Sequence, residues 1–252
     1  MTTSSIPVAY APPNDLLKDR VILVTGAGDG IGRAVSRGLA VHGATVVLLG
    51  KTIKKLESVY DEIMQAGGPM PGIYPMDLRG ATYKDHEDLA TVLNKEYGRL
   101  DGLLHNAGML GERAPIEHHE VAIWQQVMQV NLTAPFMLTK ACLPLLYKSP
   151  DACVVFTASS VGRKPRAYWA AYAVSKAGLE ALSAMLADET EFRGTLRINS
   201  LNPGAVRTEM RRFAFPAEDR SQLRTPEQLL PAYLFLLGPD SRGHTGQQFD
   251  IA

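Results

Sequence analysis

The stretch Val21-Ile22-Leu23-Val24-Thr25-Gly26-Ala27-Gly28-Asp29-Gly30-Ile31-Gly32 decides the fold. Four consecutive apolar residues suit a strand buried on both faces, as in a parallel sheet. Glycines follow at once, and they let a chain turn tightly and let its backbone approach a ligand. Beyond the loop, Ile31, Ala34, Val35 and Leu39 recur at helical spacing until Gly43. A helix that begins at the end of such a loop offers free N–H groups and the positive end of its dipole to a phosphate. Gly26, Asp29, Gly30, Ile31 and Gly32 are therefore candidate dinucleotide-binding residues.

Outward from this unit the alternation continues. Strands are predicted over Thr45–Leu49, Ile73–Met76, Gly102–His105, Cys153–Thr157, Arg197–Leu201 and Gln247–Ile251. Helices are predicted over Ile53–Gln65, Tyr83–Tyr97, Ala122–Leu146 (bent near Pro135 or Pro144), Tyr168–Phe192 and Pro226–Leu237. Repeated β–α alternation means an α/β fold: a Rossmann-type, doubly wound parallel sheet of about seven strands with helices on both faces. Residues 14–252 read as one domain, and residues 1–13, with three prolines, as a flexible tail. Val206–Arg224 has no clear period, and a long irregular segment in such a fold suits a lid.

Composition narrows the class. Of 252 residues 46% are hydrophobic, and Lys plus Arg balances Asp plus Glu at 26 each, so nucleic-acid and membrane surfaces are not expected partners. No apolar run approaches the roughly 18 residues of a membrane helix, and the first residues do not resemble a signal peptide. The expected location is the cytoplasm. Cys142 and Cys153 lie in apolar runs and read as buried thiols. The histidines have no metal-ligand spacing, and His118 and His119 read as surface residues.

Further motifs fall in order along the chain. The glycine loop has the form Gly26, three residues, Gly30, one residue, Gly32. His105-Asn106-Ala107-Gly108 follows the fourth strand. Asn131 lies in a long helix. Ser159 precedes Tyr172 by 13 positions, Lys176 follows it by four, and Asn202-Pro203-Gly204 follows the sixth strand with Thr208 close behind. In this order the motifs resemble those of the short-chain dehydrogenase/reductase family, in its compact branch. His105–Gly111, Phe156–Arg163 and Thr225–Leu237 are similar to the bacterial YciK-like oxidoreductases within it.

The resemblance implies hydride transfer between a nicotinamide cofactor and a small carbonyl or alcohol substrate. Tyr172 and Lys176 are four apart on a predicted helix and share a face. A phenol with a pKa near ~10 is a poor base at neutral pH, and a nearby ammonium lowers that value, which suits Tyr172 to general acid–base work. Ser159, at the end of a strand, has a hydroxyl that can hold a carbonyl, with the adjacent Ser160 second in line as a structural hydroxyl. The family's pattern gives Asn131 the orienting of a water leading from Lys176, although a helix-interior amide bonded to backbone accounts for it too. It places Asn106, Ala107 and Gly108 on the adenosine side. Asp77 and Leu78 fall near adenine, where Asp77 serves equally as a turn cap. Pro203, Gly204, Val206 and Thr208 fall against the carboxamide.

NAD-specific sites usually place a carboxylate at the end of the second strand. Here Gly50 and Lys51 stand there, which favours NADP(H) over NAD(H). Asp29 in the loop weighs the other way, and Lys51 also reads as a solvated helix-start residue. In the lid, Met210, Phe213 and Phe215 suit an apolar substrate, and Arg211 and Arg212 either meet a negative group on it or are solvated. The resemblance implies that the long helices, Ala122–Leu146 and Tyr168–Phe192, pack against a symmetry mate, in a homodimer or homotetramer. The alternative to an enzyme is a non-catalytic dinucleotide sensor on the same fold.

Overall fold

A computed structural model describes residues 3–6 and 10–251. In chain order its strands and helices are β1 (Thr3–Ser5), β2 (Val21–Thr25), α1 (Gly30–Val41), β3 (Thr45–Gly50), α2 (Ile53–Gln65), β4 (Gly72–Pro75), α3 (Tyr83–Tyr97) and β5 (Gly102–His105). There follow α4 (Val121–Met128), α5 (Ala134–Leu146), β6 (Ala152–Thr157), α6 (Ser160–Arg163), α7 (Ala170–Thr190), β7 (Leu196–Asn202), α8 (Glu209–Ala214), α9 (Leu230–Leu237) and β8 (Gln247–Asp250).

All the strands join one parallel sheet in the order β1-β8-β7-β6-β5-β2-β3-β4. Side chains alternate across it, as a period of two requires. Ile22, Val24, Val46, Leu48, Leu104 and Val155 pack on one face with residues of α1, α2 and α9. Leu23, Val47, Leu49, Leu103, Val154 and Phe156 pack on the other with α3, α5 and α7. Strands β2, β3, β5 and β6 are buried on both faces, which is why their sequences read as continuous apolar runs. The order of connection reverses between β2 and β5, so the loops that leave them diverge. Such a divergence opens a crevice at the carboxyl ends of the strands.

The seven expected strands are present, with an eighth where a flexible tail was expected. Thr3–Ser5 pairs in parallel with Gln248–Asp250 at the sheet edge. Farther along, Tyr10 donates to Asp240 Oδ2 at 2.8 Å and sets its ring edge-on to Phe235. A three-residue edge strand of small polar residues has no alternation to reveal it; β8 supplies the order through backbone bonds. The helix expected over Ala122–Leu146 is divided by one π-turn, Gln129–Thr133. Pro135 has no N–H to give to Asn131 O, and the helix widens just before it. The helix expected from Tyr168 starts at Ala170, because Tyr168 takes φ 70°. Cys142 and Cys153 are buried and free. His118 is exposed as expected, but only 5% of the His119 side chain is accessible, where it faces Glu112 and the edge of Trp124.

The helix of the glycine loop is held from behind. A Cβ built on Gly38 of α1 would lie 2.2 Å from Leu230 Cδ1 of α9. Replacing an exposed helical glycine by alanine gains up to about 1 kcal/mol, whereas overpacking a core contact costs about 1–3 kcal/mol. Gly38→Ala is therefore expected to lower the Tm by several degrees in a thermal melt. An unchanged or raised Tm would show that Leu230 moves aside without penalty.

Candidate active site

Thr25, the last residue of β2, ties two loops together. Its Oγ1 accepts from the backbone N–H of Asn106 and of Ala107, each at 3.0 Å, and donates to Leu104 O. Asn106 returns the contact by donating Nδ2 to Thr25 O at 3.1 Å. The Asn106-Ala107-Gly108 loop is thereby strapped to the glycine loop, and a cleft of about 540 Å³ opens above both.

Along that cleft lie Gly26, Asp29, Gly30, Ile31, Lys51, Asp77, Leu78, Asn106, Ala107, Gly108, Ser159, Tyr172, Lys176, Pro203, Gly204, Val206 and Thr208. Two expected site residues are not on its wall. Gly32 is buried beneath the loop, where a Cβ would stand 2.1 Å from Gly26 O, so its contribution is close packing. Asn131 is fully buried. Its Oδ1 accepts from Met109 N at 2.7 Å, while Nδ2 donates to Met109 O and to Ser175 Oγ. The amide pins the segment after Gly108 to the π-turn and to α7.

At one end of the cleft the donors suit an anion. The N-terminus of α1 faces it, with Asp29 capping the first N–H at 2.7 Å. Asp29 also forms an ion pair with Lys55 of α2, so Lys55 is more than the solvated helix-start residue its position in the sequence suggests. The Lys55 side chain holds the Asp29 carboxyl below its ordinary range, burial opposing it. Asp77 is likewise paired, with Arg79 at 2.6 Å. Both carboxylates near the expected cofactor are thus neutralised, and Lys51, Thr52 and Lys55 line the same wall. This donor set fits a dinucleotide with phosphates on the α1 end.

At the other end stands the titratable group of α7. Tyr172 is half-buried on the cleft wall near Ser159, whose hydroxyl works against the rise that burial imposes on the phenol pKa. Lys176 sits one turn further along, buried, and donates Nζ to Thr157 O at 2.6 Å. Burial pulls its pKa down to about 8, against a counter-pull from Glu180. The expectation that Lys176 lowers the Tyr172 pKa needs correction. Desolvation raises it, Ser159 opposes weakly, and Lys176 Nζ lies 5.9 Å from the ring centre, directed at Thr157. His105, which heads the Asn106 loop, is stacked on Phe156 and bonded to Thr139, and burial drives its pKa to about 3. It stays neutral at physiological pH.

The expected lid segment is folded over the substrate side. Val206 bridges to Arg224, and Arg207 N donates to Arg224 O. Met210 faces the cleft, Phe215 packs on Trp169, and Phe213 is exposed. Arg211 pairs with Glu218 and lies 3.8 Å from the centre of the Phe215 ring, and Arg212 pairs with Glu209. Both arginines expected either to meet a charge or to be solvated are held by carboxylates of their own segment. Trp169, 5.8 Å from Tyr172 between ring centres, and Arg113 were not singled out in the sequence. Trp169 would have been found by its place three residues before Tyr172 on the helix face; Arg113 lies in a loop and carries no such signal.

Among the described residues no helix is long and apolar enough to cross a membrane, and no group of three metal-ligating side chains comes together. The model of the short chain dehydrogenase family matches residues 20–219. The chain is 50% identical over 241 residues to the oxidoreductase YciK of Escherichia coli K12, covering 96% of this chain and 95% of that one. A short chain dehydrogenase from Shigella flexneri 2a, solved in complex with NADP, superposes with a TM-score of 0.92 at 50% identity, covering 94% of this chain and 99% of that one. Another from Escherichia coli CFT073, solved with NADPH, gives 0.92 at 51%, covering 95% and 99%. By its matched stretch, its identities and its sheet, the chain belongs to the short-chain dehydrogenase family, as a dinucleotide-binding oxidoreductase.

Proposed function

We propose that the protein transfers a hydride between NADP(H) and a hydrophobic carbonyl or alcohol, with Tyr172 as general acid and base. The observation that carries this reading is that Ser159, Tyr172 and Lys176 line one end of a cleft whose far end offers a helix N-terminus. The nicotinamide supplies the hydride chemistry when bound. Ser159 then holds the substrate oxygen, and Tyr172 delivers or removes the proton on it. A desolvated phenol is protonated at neutral pH, so it is set to donate in the direction of reduction. Lys176, charged below pH of about 8 and on the cleft wall beside Tyr172, is placed to hold the ribose hydroxyls of the cofactor and so set it against the phenol. Val206, Met210 and Ala214 narrow the opening and limit water, which strengthens these polar contacts.

NADP(H) over NAD(H) is supported by Gly50 at the end of β3, by Lys51 and Lys55 on the wall, and by the pairing of Asp29 and Asp77. Complexes of the Shigella and Escherichia relatives with NADP and NADPH support it further. Phe136, Val174 and Met185 lie about half exposed on α5 and α7, which supports assembly through those helices as a homodimer.

Each element has its test. Lys51→Glu is expected to raise the Kd for NADPH by about tenfold or more, the worth of a charge-assisted bond, and to change that for NADH much less. Equal effects on both cofactors in a fluorescence titration would overturn the NADP assignment. Tyr172→Phe is expected to cut kcat by at least about a hundredfold with cofactor binding retained. Lys176 loses its charge as pH rises through about 8, so carbonyl reduction should be fast below that value and decline above it. A kcat that stays flat from about pH 7 to about pH 9 would reject that role of Lys176. Light scattering at micromolar concentration should report a dimer or a tetramer; a monomer would sink the assembly.

A further inference from the structure

Beside the cleft lies a second cavity of about 530 Å³ that Met109, Leu110 and Met210 share with it. The rest of its wall is Gly111, Glu112, Arg113, Ile123 and Phe213. The lining is apolar save for two charges. Glu112 is occupied: its Oε1 accepts from Glu120 N at 2.5 Å and lies 3.5 Å from His119 Nδ1.

Arg113 has no carboxylate partner among the described residues. Its guanidinium carbon lies 4.8 Å from the centre of the Trp169 ring and 4.9 Å from that of Phe215. One nitrogen donates to Ala214 O, which leaves most of the five N–H donors unused by protein acceptors. Arg113 is exposed overall, and the two rings and Ala214 fix the plane of its fork beside the apolar cavity. A cation with fixed donors and no carboxylate partner among the described residues is a site for an oxyanion. Trp169 also joins this site to the chemistry, since its ring centre is 5.8 Å from that of Tyr172.

We infer that the substrate carries an oxyanion, carboxylate or phosphate, on an apolar body, and that Arg113 holds it while the reacting carbonyl lies at Tyr172. The inference rests on the catalytic reading of Tyr172 given above. The body would lie along Leu110 and Met210, with Trp169 between its two ends. Arg211 and Arg212 have no part in this, being paired with Glu218 and Glu209.

The test compares medium-length straight-chain oxo-carboxylates with their methyl esters and with the matching oxo-alkyl phosphates, using NADPH. One anionic form, acid or phosphate, should exceed the ester in kcat/KM by about tenfold or more. Arg113→Gln should bring that ratio towards one, chiefly through KM, and Arg113→Lys should keep part of it. The carboxylate and phosphate arms decide which oxyanion is meant. A ratio already near one in the native protein would overturn the inference. So would a loss in Arg113→Gln that strikes anion and ester alike, which marks a purely structural residue. Binding of the same compounds to NADPH-loaded Tyr172→Phe protein, read by cofactor fluorescence, separates the two readings. Tight anion binding that Arg113→Gln abolishes, without turnover by the native protein, upholds the oxyanion site and overturns the role of Tyr172. Equal binding of anion and ester, or binding of neither, overturns the oxyanion site.

Discussion

The hydroxyl of Thr25 holds together the two loops on which everything else stands. A parallel sheet whose connections reverse at one point must open there, because consecutive loops leave in opposite directions. Left alone, the loops after β2 and β5 would be free to drift. Thr25 Oγ1 takes both N–H groups at the start of the Asn106 loop, and Asn106 binds back to Thr25 O. Behind them, Gly32 lets α1 approach Gly26 O, and Gly38 lets α9 press on α1. The helix dipole is thereby aimed at a defined point instead of a mobile loop.

Electrostatics in the cleft follow from the unequal burial of its two ends. At the α1 end the charges are exposed and paired, Asp29 with Lys55 and Asp77 with Arg79. Surface pairs of this kind exchange partners at little cost, which suits a place where a phosphate must enter. At the Tyr172 end the groups are desolvated. Lys176 donates a hydrogen bond to Thr157 O, and burial favours the protonated phenol of Tyr172. Buried groups are costly to charge, so their protonation states are held until a bound molecule changes the surroundings.

The substrate side is built from side chains far apart in sequence. Arg113 comes from the loop after β5, Trp169 from the entry to α7, and Phe215 from the end of α8. Their stacking holds the segment beyond Val206 over the cleft. Arg211 and Arg212 spend their charge within that segment, and Arg113 keeps its own. Their packing leaves the Arg113 guanidinium facing an apolar cavity.

The sequence by itself determined the sheet, its seven main strands and the order of the motifs. Continuous apolar runs, helical spacing and glycine breaks are local signals, and burial on both faces of a parallel sheet writes them plainly. It also placed Tyr172 and Lys176 on one helix face, because four residues make about one turn. What it left to tertiary structure were pairings across long separations. Thr3–Ser5 becomes a strand only because β8 has a free edge. Lys176 turns from Tyr172 to Thr157 O because β6 presents a carbonyl in a dry place. Asp29 is paired with Lys55, 26 positions away, and Arg113 has no carboxylate partner among the described residues. Such partners are set by how helices and loops dock, and a side chain's charge or pKa depends on that neighbourhood more than on its neighbours in sequence.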